Sequence, residues 1–234
     1  MISILDIATN NIKNPMFKLE HYFDIYDKYF SKYRNTPVRI LEIGVCDGGS
    51  LDLWREYFGD TAIIYGMDIN PSVKRFNTQN TRIIIADQQD REYLEELFTD
   101  EPPFDIILDD GGHMPDQQKN SFEALFPLLH KDGVYIVEDI QTSYWKSFNG
   151  GLRKSNTFIE FSKQLIDYIN VDHFREEDNL LLYLPLKTAL QTQLTSVNYY
   201  DGMVVFTKGN KIRKDGIHYY GNGITKKESI SLYN

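Results

Sequence analysis

Five short apolar runs punctuate this chain, and each stops at a carboxylate. They are Val38–Val45, which breaks into Cys46-Asp47-Gly48-Gly49-Ser50, then Ala62–Asp68, Thr81–Asp87, Phe104–Asp109 and Val134–Glu138. Segments of helical spacing separate them. One spans about 50–58 with Leu51, Leu53, Trp54, Tyr57 and Phe58; a short one opens at Pro71; one runs from Asp90, an aspartate N-cap, to Phe98; the next covers Asp116–Leu129. Near-continuous apolar strands are buried on both faces, and strands alternating with helices join through right-handed crossovers. The pattern predicts a doubly wound, Rossmann-like α/β sheet, mostly parallel.

The flanks are less regular. Apolar residues at 19, 22, 23, 26, 29, 30 and 33 keep a helical period that Asn35-Thr36-Pro37 ends, so residues 1–36 form a helical cover segment. Thr157–Ile169 is a second amphipathic helix, and residues 170–193 stay open. Thr195–Tyr200 and Met203–Thr207, joined at Asp201-Gly202, form an antiparallel hairpin at the end of the sheet. The expected division is cover 1–36, catalytic domain 37–208 and a loose polar tail 209–234.

Composition narrows the partners. A chain of 234 residues supports one core. The net charge of −9 argues against a basic nucleic-acid grip. No apolar stretch approaches the roughly 20 residues that span a bilayer. One cysteine, Cys46, allows no intramolecular disulfide, and the first residues lack a secretory pattern. The expectation is a cytoplasmic protein, a homo-oligomer, with a small-molecule acceptor and no nucleic-acid or membrane partner.

In open parallel sheets ligands bind beyond the carboxyl ends of the strands. Asp47, Asp68, Asp87, Asp109, Asp110, Glu138 and Asp139 all fall there. Any single aspartate is more often a cap or turn residue; their placement at successive strand ends gives the functional reading its weight. The turn Gly44-Val45-Cys46-Asp47-Gly48-Gly49 allows close backbone approach, but Cys46 takes the second glycine position of a pyrophosphate-binding turn. S-adenosylmethionine, which needs no phosphate cradle, fits better than a nicotinamide. Asp68 suits ribose hydroxyls, and Asp87-Gln88 an adenine edge.

The stretch Asp109-Asp110-Gly111-Gly112-His113 stands out, because aspartates are depleted in strands. Alternation sends Asp109 and Asp110 to opposite sides, and likewise Glu138 and Asp139. Carboxylates about 5 Å apart repel by roughly 3 kcal/mol at an effective dielectric near 20. Such a cluster calls for protons, a basic partner or a hard divalent cation, Mg²⁺ or Mn²⁺. His113, after two glycines, is placed to act as a general base. His21, His130, His173 and His218 have no such context.

Leu41-Glu42-Ile43-Gly44-Val45, Gly48-Gly49-Ser50-Leu51, Tyr65-Gly66-Met67-Asp68-Ile69, Asp109-Asp110-Gly111-Gly112-His113 and Val137-Glu138-Asp139, followed by Tyr144-Trp145, resemble class I S-adenosylmethionine-dependent O-methyltransferases of the macrolide-sugar type and their polysaccharide-modifying relatives. The likeness covers roughly 18–145 and the hairpin. It implies Mg²⁺ on Asp110, Glu138 and Asp139, with His113 as base. The cofactor set it completes is Glu42, Gly44, Gly48, Ser50, Asp68, Asp87, Gln88 and Asp109, with Glu42 and Asp109 on the methionine amine. Gly112 stands where serine is usual, and the C-terminal third matches poorly. The function expected is methyl transfer to a hydroxyl of a sugar, a capsule-polysaccharide or phosphorylated precursor, or a natural-product alcohol. The rival readings are a nicotinamide-dependent dehydrogenase and a non-catalytic cofactor-binding protein.

Overall fold

The computed structural model describes residues 2–174, 189–211, 216–219 and 225–228. Its centre is a seven-stranded sheet in the order β3-β2-β1-β4-β5-β7-β6. The strands are β1 (Arg39–Ile43), β2 (Ile63–Asp68), β3 (Thr81–Ile85), β4 (Phe104–Asp109), β5 (Leu129–Val137), β6 (Leu194–Tyr200) and β7 (Met203–Lys208). Strands β1 to β5 pair in parallel, while β7 pairs antiparallel with both β5 and β6. The doubly wound sheet and the terminal hairpin are therefore as expected from the sequence. Strand order reverses between β1 and β4, which puts the ligand crevice beyond those two strand ends.

The period-2 alternation of strands builds two separate cores. Ile40, Ile64, Ile106, Leu108 and Ile136 face one side, where α1 (Ile4–Asn10), α2 (Tyr22–Phe30) and α3 (Gly49–Phe58) cover them. Leu41, Tyr65, Ile107, Tyr135 and Val137 face the other, under α4 (Arg91–Leu97), α5 (Pro115–Leu125) and α6 (Phe158–Asn170). On the first side Tyr26 of α2 meets Trp54 of α3 edge to face at 5.2 Å, so the N-terminal cover is packed into the core.

Several boundaries moved for identifiable reasons. Helix α5 stops at Leu125 and gives way to a 3-10 turn, Phe126–Leu128, because Pro127 cannot continue the α ladder. Strand β5 then starts early, at Leu129. Helix α1 was not anticipated; Ser3 caps it by accepting the Asp6 N–H at 3.0 Å. The open segment 170–193 contains the end of α6, a 3-10 turn, Val171–His173, and α7 (Ala189–Gln193), and residues 175–188 lie outside the described residues. Within the tail read as loose, β8 (Gly216–Tyr219) and β9 (Thr225–Glu228) pair antiparallel.

Candidate functional site

Two adjoining cavities open at the switch point. The first, a cleft of about 240 Å³, is walled by the β1 loop at Gly44 and Cys46, by Asp68 of β2, by Asp87-Gln88 after β3, and by Gly111-Gly112 after β4. The second, about 430 Å³, lies between the N-terminal segment Pro15–Lys18 and the residues Ser50, Asp110, His113 and Asp139. Asp110 lines both. Gly44 makes the junction possible: its φ is +92°, and a Cβ there would lie 2.0 Å from the backbone oxygen of Asp110.

Three non-glycine residues at these loops hold left-handed backbone: Cys46 (φ 48°), His113 (φ 58°) and Asp139 (φ 53°). Such conformations persist where the surroundings over-determine them, and they concentrate at functional sites. The β1 loop is pinned by Asp68, whose carboxylate accepts the N–H groups of Val45 at 2.9 Å and Cys46 at 3.1 Å.

Asp110, His113 and Asp139 form a cluster in which a potential ligand atom from each lies within 4.8 Å of the others. His113 Nε2 is 3.9 Å from Asp110 Oδ1 and 3.7 Å from Asp139 Oδ2. The other oxygens are committed: Asp139 Oδ1 accepts from Tyr22 Oη at 2.8 Å and Gln141 Nε2 at 3.0 Å, and Asp110 Oδ2 accepts from Lys18 Nζ at 2.5 Å. The free oxygens thus converge with the imidazole on the larger cavity.

Four expected site residues are placed differently. Asp109, expected on the cofactor amine, is turned under the sheet toward α5, where it accepts from Gln88 Nε2 at 2.6 Å and Ser121 Oγ at 2.6 Å. Ile107, two residues before it in β4, faces the α4–α6 side, so period-2 alternation buries Asp109 there. Burial pushes its carboxyl up to about 7. Glu138, expected as a metal ligand, points to the opposite face. It accepts from Lys18 Nζ at 2.9 Å and from the Tyr26 hydroxyl, outside the Asp110–His113–Asp139 cluster, and burial raises its pKa. Glu42 is fully buried beneath the cavities, accepting from Ser50 Oγ at 2.8 Å; burial lifts its carboxyl to about 7 against the pull of Lys18. Gly48 faces the Phe76 ring, and its left-handed φ of +84° starts α3. Gln88 lines the cleft but also serves as a post, its Oε1 accepting the Gly112 N–H at 3.0 Å.

Sequence reasoning missed Lys18. No motif surrounds it; only the fold carries it 92 residues away in sequence to Asp110. Burial works against its ammonium, but Glu138, Asp110 and Glu42 outweigh that and raise its pKa well above the ordinary lysine value.

Comparison with known proteins agrees with this geometry. Residues 41–140, which run from β1 to just past Asp139, match the family described as Methyltransferase domain. Demethylmacrocin O-methyltransferase of Streptomyces fradiae is 34% identical over 74% of this chain and 46% of its own length. Mycinamicin VI 2''-O-methyltransferase of Micromonospora griseorubida is 38% identical over 70% of this chain and 44% of its own. The chain is homologous to the macrocin and mycinamicin sugar O-methyltransferases. The crystal structure of the mycinamycin-pathway methyltransferase MycE, in complex with Mg and SAH, superposes on this methyltransferase domain with a TM-score of 0.74 at 33% identity. That match covers 84% of this chain and 52% of the MycE chain. The chain spans about half the length of the curated relatives it matches. Among the described residues no helix is long and apolar enough to cross a membrane.

Proposed function

We propose that this domain transfers the methyl group of S-adenosylmethionine to a hydroxyl of a sugar-type acceptor, with a divalent cation at Asp110 and Asp139. The observation that carries the reading is the convergence of Asp110 Oδ1, Asp139 Oδ2 and His113 Nε2 on one cavity beside the switch-point cleft. The cleft suits the nucleoside: Asp68 and Asp87 offer acceptors for ribose and adenine, and the turn lacks the glycine pattern that holds a pyrophosphate. Two converging carboxylate oxygens make a hard donor pair for Mg²⁺ or Mn²⁺ and leave the His113 imidazole free to accept a proton.

When bound, the cation supplies Lewis acidity that makes an acceptor hydroxyl easier to deprotonate. His113 takes that proton at Nε2, and the neighbouring carboxylates stabilise the imidazolium that forms. Gly111-Gly112 lets the chain cross between the cavities, so cofactor and acceptor meet at Asp110. Most of the rate advantage then comes from holding the two reactants in line.

Three of the curated relatives carry a glycosylated natural product in their names: two act on rhamnosyl tetracenomycins and one on L-olivosyl-oleandolide. This favours a sugar hydroxyl over a simple alcohol, and a polysaccharide precursor falls in the same chemical class. A cytoplasmic, homo-oligomeric enzyme acting on small molecules completes the proposal.

The test is methyl transfer from labelled S-adenosylmethionine to hexose- and deoxyhexose-bearing acceptors with Mg²⁺. Turnover that stops with EDTA and returns with Mg²⁺ supports the reading. Binding of NADH without binding of S-adenosylhomocysteine would replace it with the dehydrogenase reading.

A further inference from the structure

The cavities form a row along the edge of the sheet where the parallel strands end. The cleft lies over the ends of β3, β2, β1 and β4, and the larger cavity over those of β1, β4 and β5. Because β7 runs antiparallel, its turn with β6 comes back to that same edge, beyond β5. A third cavity, about 330 Å³, opens there. Its walls include Gln141 and Tyr144 of the 3-10 turn Ile140–Tyr144, Lys163 of α6, and Tyr199, Asp201 and Gly202 of the hairpin. Adjacent residues line the two neighbours: Asp139 the larger cavity, Ile140 the third. The third plays no part in the chemistry at Asp110 and His113.

The surface between these two cavities is aromatic. Tyr144 and Trp145 are each 50% exposed. Trp145 packs on Phe148 with ring centres 5.9 Å apart, and Phe148 lies 6.3 Å from the His113 ring. The series Tyr144, Trp145, Phe148 thus runs from the third cavity back to the imidazole. Contiguous exposed apolar surface of this kind marks an interaction site. On the far wall Tyr199 shares a hydrogen bond with Ser162 Oγ at 3.0 Å, which fixes its half-exposed ring in place.

The polar groups select the occupant. Lys163 and Asp201 stand beside the tyrosines in the cavity wall. A simple hydrocarbon there would strip water from an ammonium and a carboxylate without return. A pyranose ring meets both demands: its C–H face packs on an aromatic ring, and its hydroxyls reach the charged groups. We infer that the third cavity is a second saccharide subsite. The acceptor is an oligosaccharide, methylated on one ring beside His113 and held by a later ring against Tyr144 and Tyr199. This rests on the reading of the larger cavity as the acceptor site.

The experiment is saturation-transfer NMR on the full chain with S-adenosylhomocysteine and Mg²⁺. The probes are methyl glycosides of rhamnose, mannose, glucose and galactose, each as mono-, di- and trisaccharide, with the octyl monosaccharides alongside. In at least one series a longer glycan binds wild type about tenfold more tightly than its monosaccharide, the scale of one or two aromatic contacts. Tyr144→Ala, which removes a half-exposed ring without opening the core, brings that glycan back to the monosaccharide's affinity, and Tyr144→Phe keeps the gain. No binding in any series, equal affinity at every length, or a length advantage that survives Tyr144→Ala overturns the inference. So does a gain from the octyl chain in place of further rings, because the subsite would then hold an apolar group. Failure of the methyltransferase reading itself looks different: calorimetry then finds no binding of S-adenosylhomocysteine.

Discussion

The Asp52 carboxylate, in the first turn of α3, accepts the backbone N–H of Asn14 at 2.8 Å. The same oxygen takes the Lys13 N–H and Asn14 Nδ2, each at 3.0 Å. Next to it, Gly49 leaves room for the segment to lie flat: a Cβ there would stand 2.4 Å from the Pro15 carbonyl oxygen. This latch fixes the segment that delivers Lys18. Asp52→Ala should cost about 1.5–3 kcal/mol, the range for hydrogen bonds to a charged group. Thermal denaturation and trypsin cleavage at Lys13 check it; a wild-type melting temperature with unchanged cleavage would show the segment is held elsewhere.

Asp109 and Asp110 are adjacent, yet they should respond oppositely to mutation. Asp109→Ala leaves Gln88 and Ser121 without their buried acceptor, so stability falls by about 1–3 kcal/mol. Asp110→Asn loses Mn²⁺ binding, but its amide oxygen can still accept from Lys18 Nζ and Glu138 keeps that ammonium paired, so the melting temperature falls less than in Asp109→Ala. Calorimetric melting and Mn²⁺ titration of both variants rank them, and the reverse ranking would refute the division of roles.

His113 lines the larger cavity and not the cleft. His113→Ala should lower turnover by about 10²–10⁴-fold, the usual contribution of a general base. Affinity for S-adenosylhomocysteine, measured by calorimetry, should stay close to wild type. Equal loss of both would remove the base assignment.

Glu101 ties three strands together through Arg39 at 3.0 Å, Tyr65 at 2.9 Å and Arg82. Burial works against its carboxylate, but the bonds from Tyr65, Arg82 and Arg39 prevail and hold its pKa below the ordinary value. A lowered carboxylate pKa stabilises the fold above the unfolded-state value, and that stabilisation disappears as pH falls through the folded one. Glu101→Gln should therefore cost about 1 kcal/mol at pH 7, a modest figure for a partly exposed ion pair. The gap between variant and wild type should close below about pH 4, where the unfolded carboxyl titrates. Melting temperatures from pH 3 to 8 test this, and a gap that persists at pH 3 would mean packing, not charge, is at work.

Most of the fold was legible because its signals are local. Runs such as Ile106-Ile107-Leu108 read as buried strands, Asp90 accepts the Tyr93 N–H at 3.1 Å as an N-cap should, and Thr157 caps α6. The errors fell where a local pattern had two outcomes. Pro127 sits inside an apolar, helix-compatible stretch, and its missing N–H decided the boundary. In the site, the sequence placed carboxylates at strand ends but not their directions. Alternation separates Asp109 from Asp110 and Glu138 from Asp139, yet which member faces a cavity depends on what packs against each side of the sheet.

Sequence alone therefore determined the strand–helix alternation, the gathering of acidic residues beyond the strand ends, and the homology that follows from those motifs. The tertiary structure decided how that negative charge is compensated. Lys18 has no sequence signature because its meaning lies in partners 24, 92 and 120 residues away, at Glu42, Asp110 and Glu138. Electrostatic attraction depends on distance in space, and only the closure of the N-terminal segment over the sheet makes those distances short.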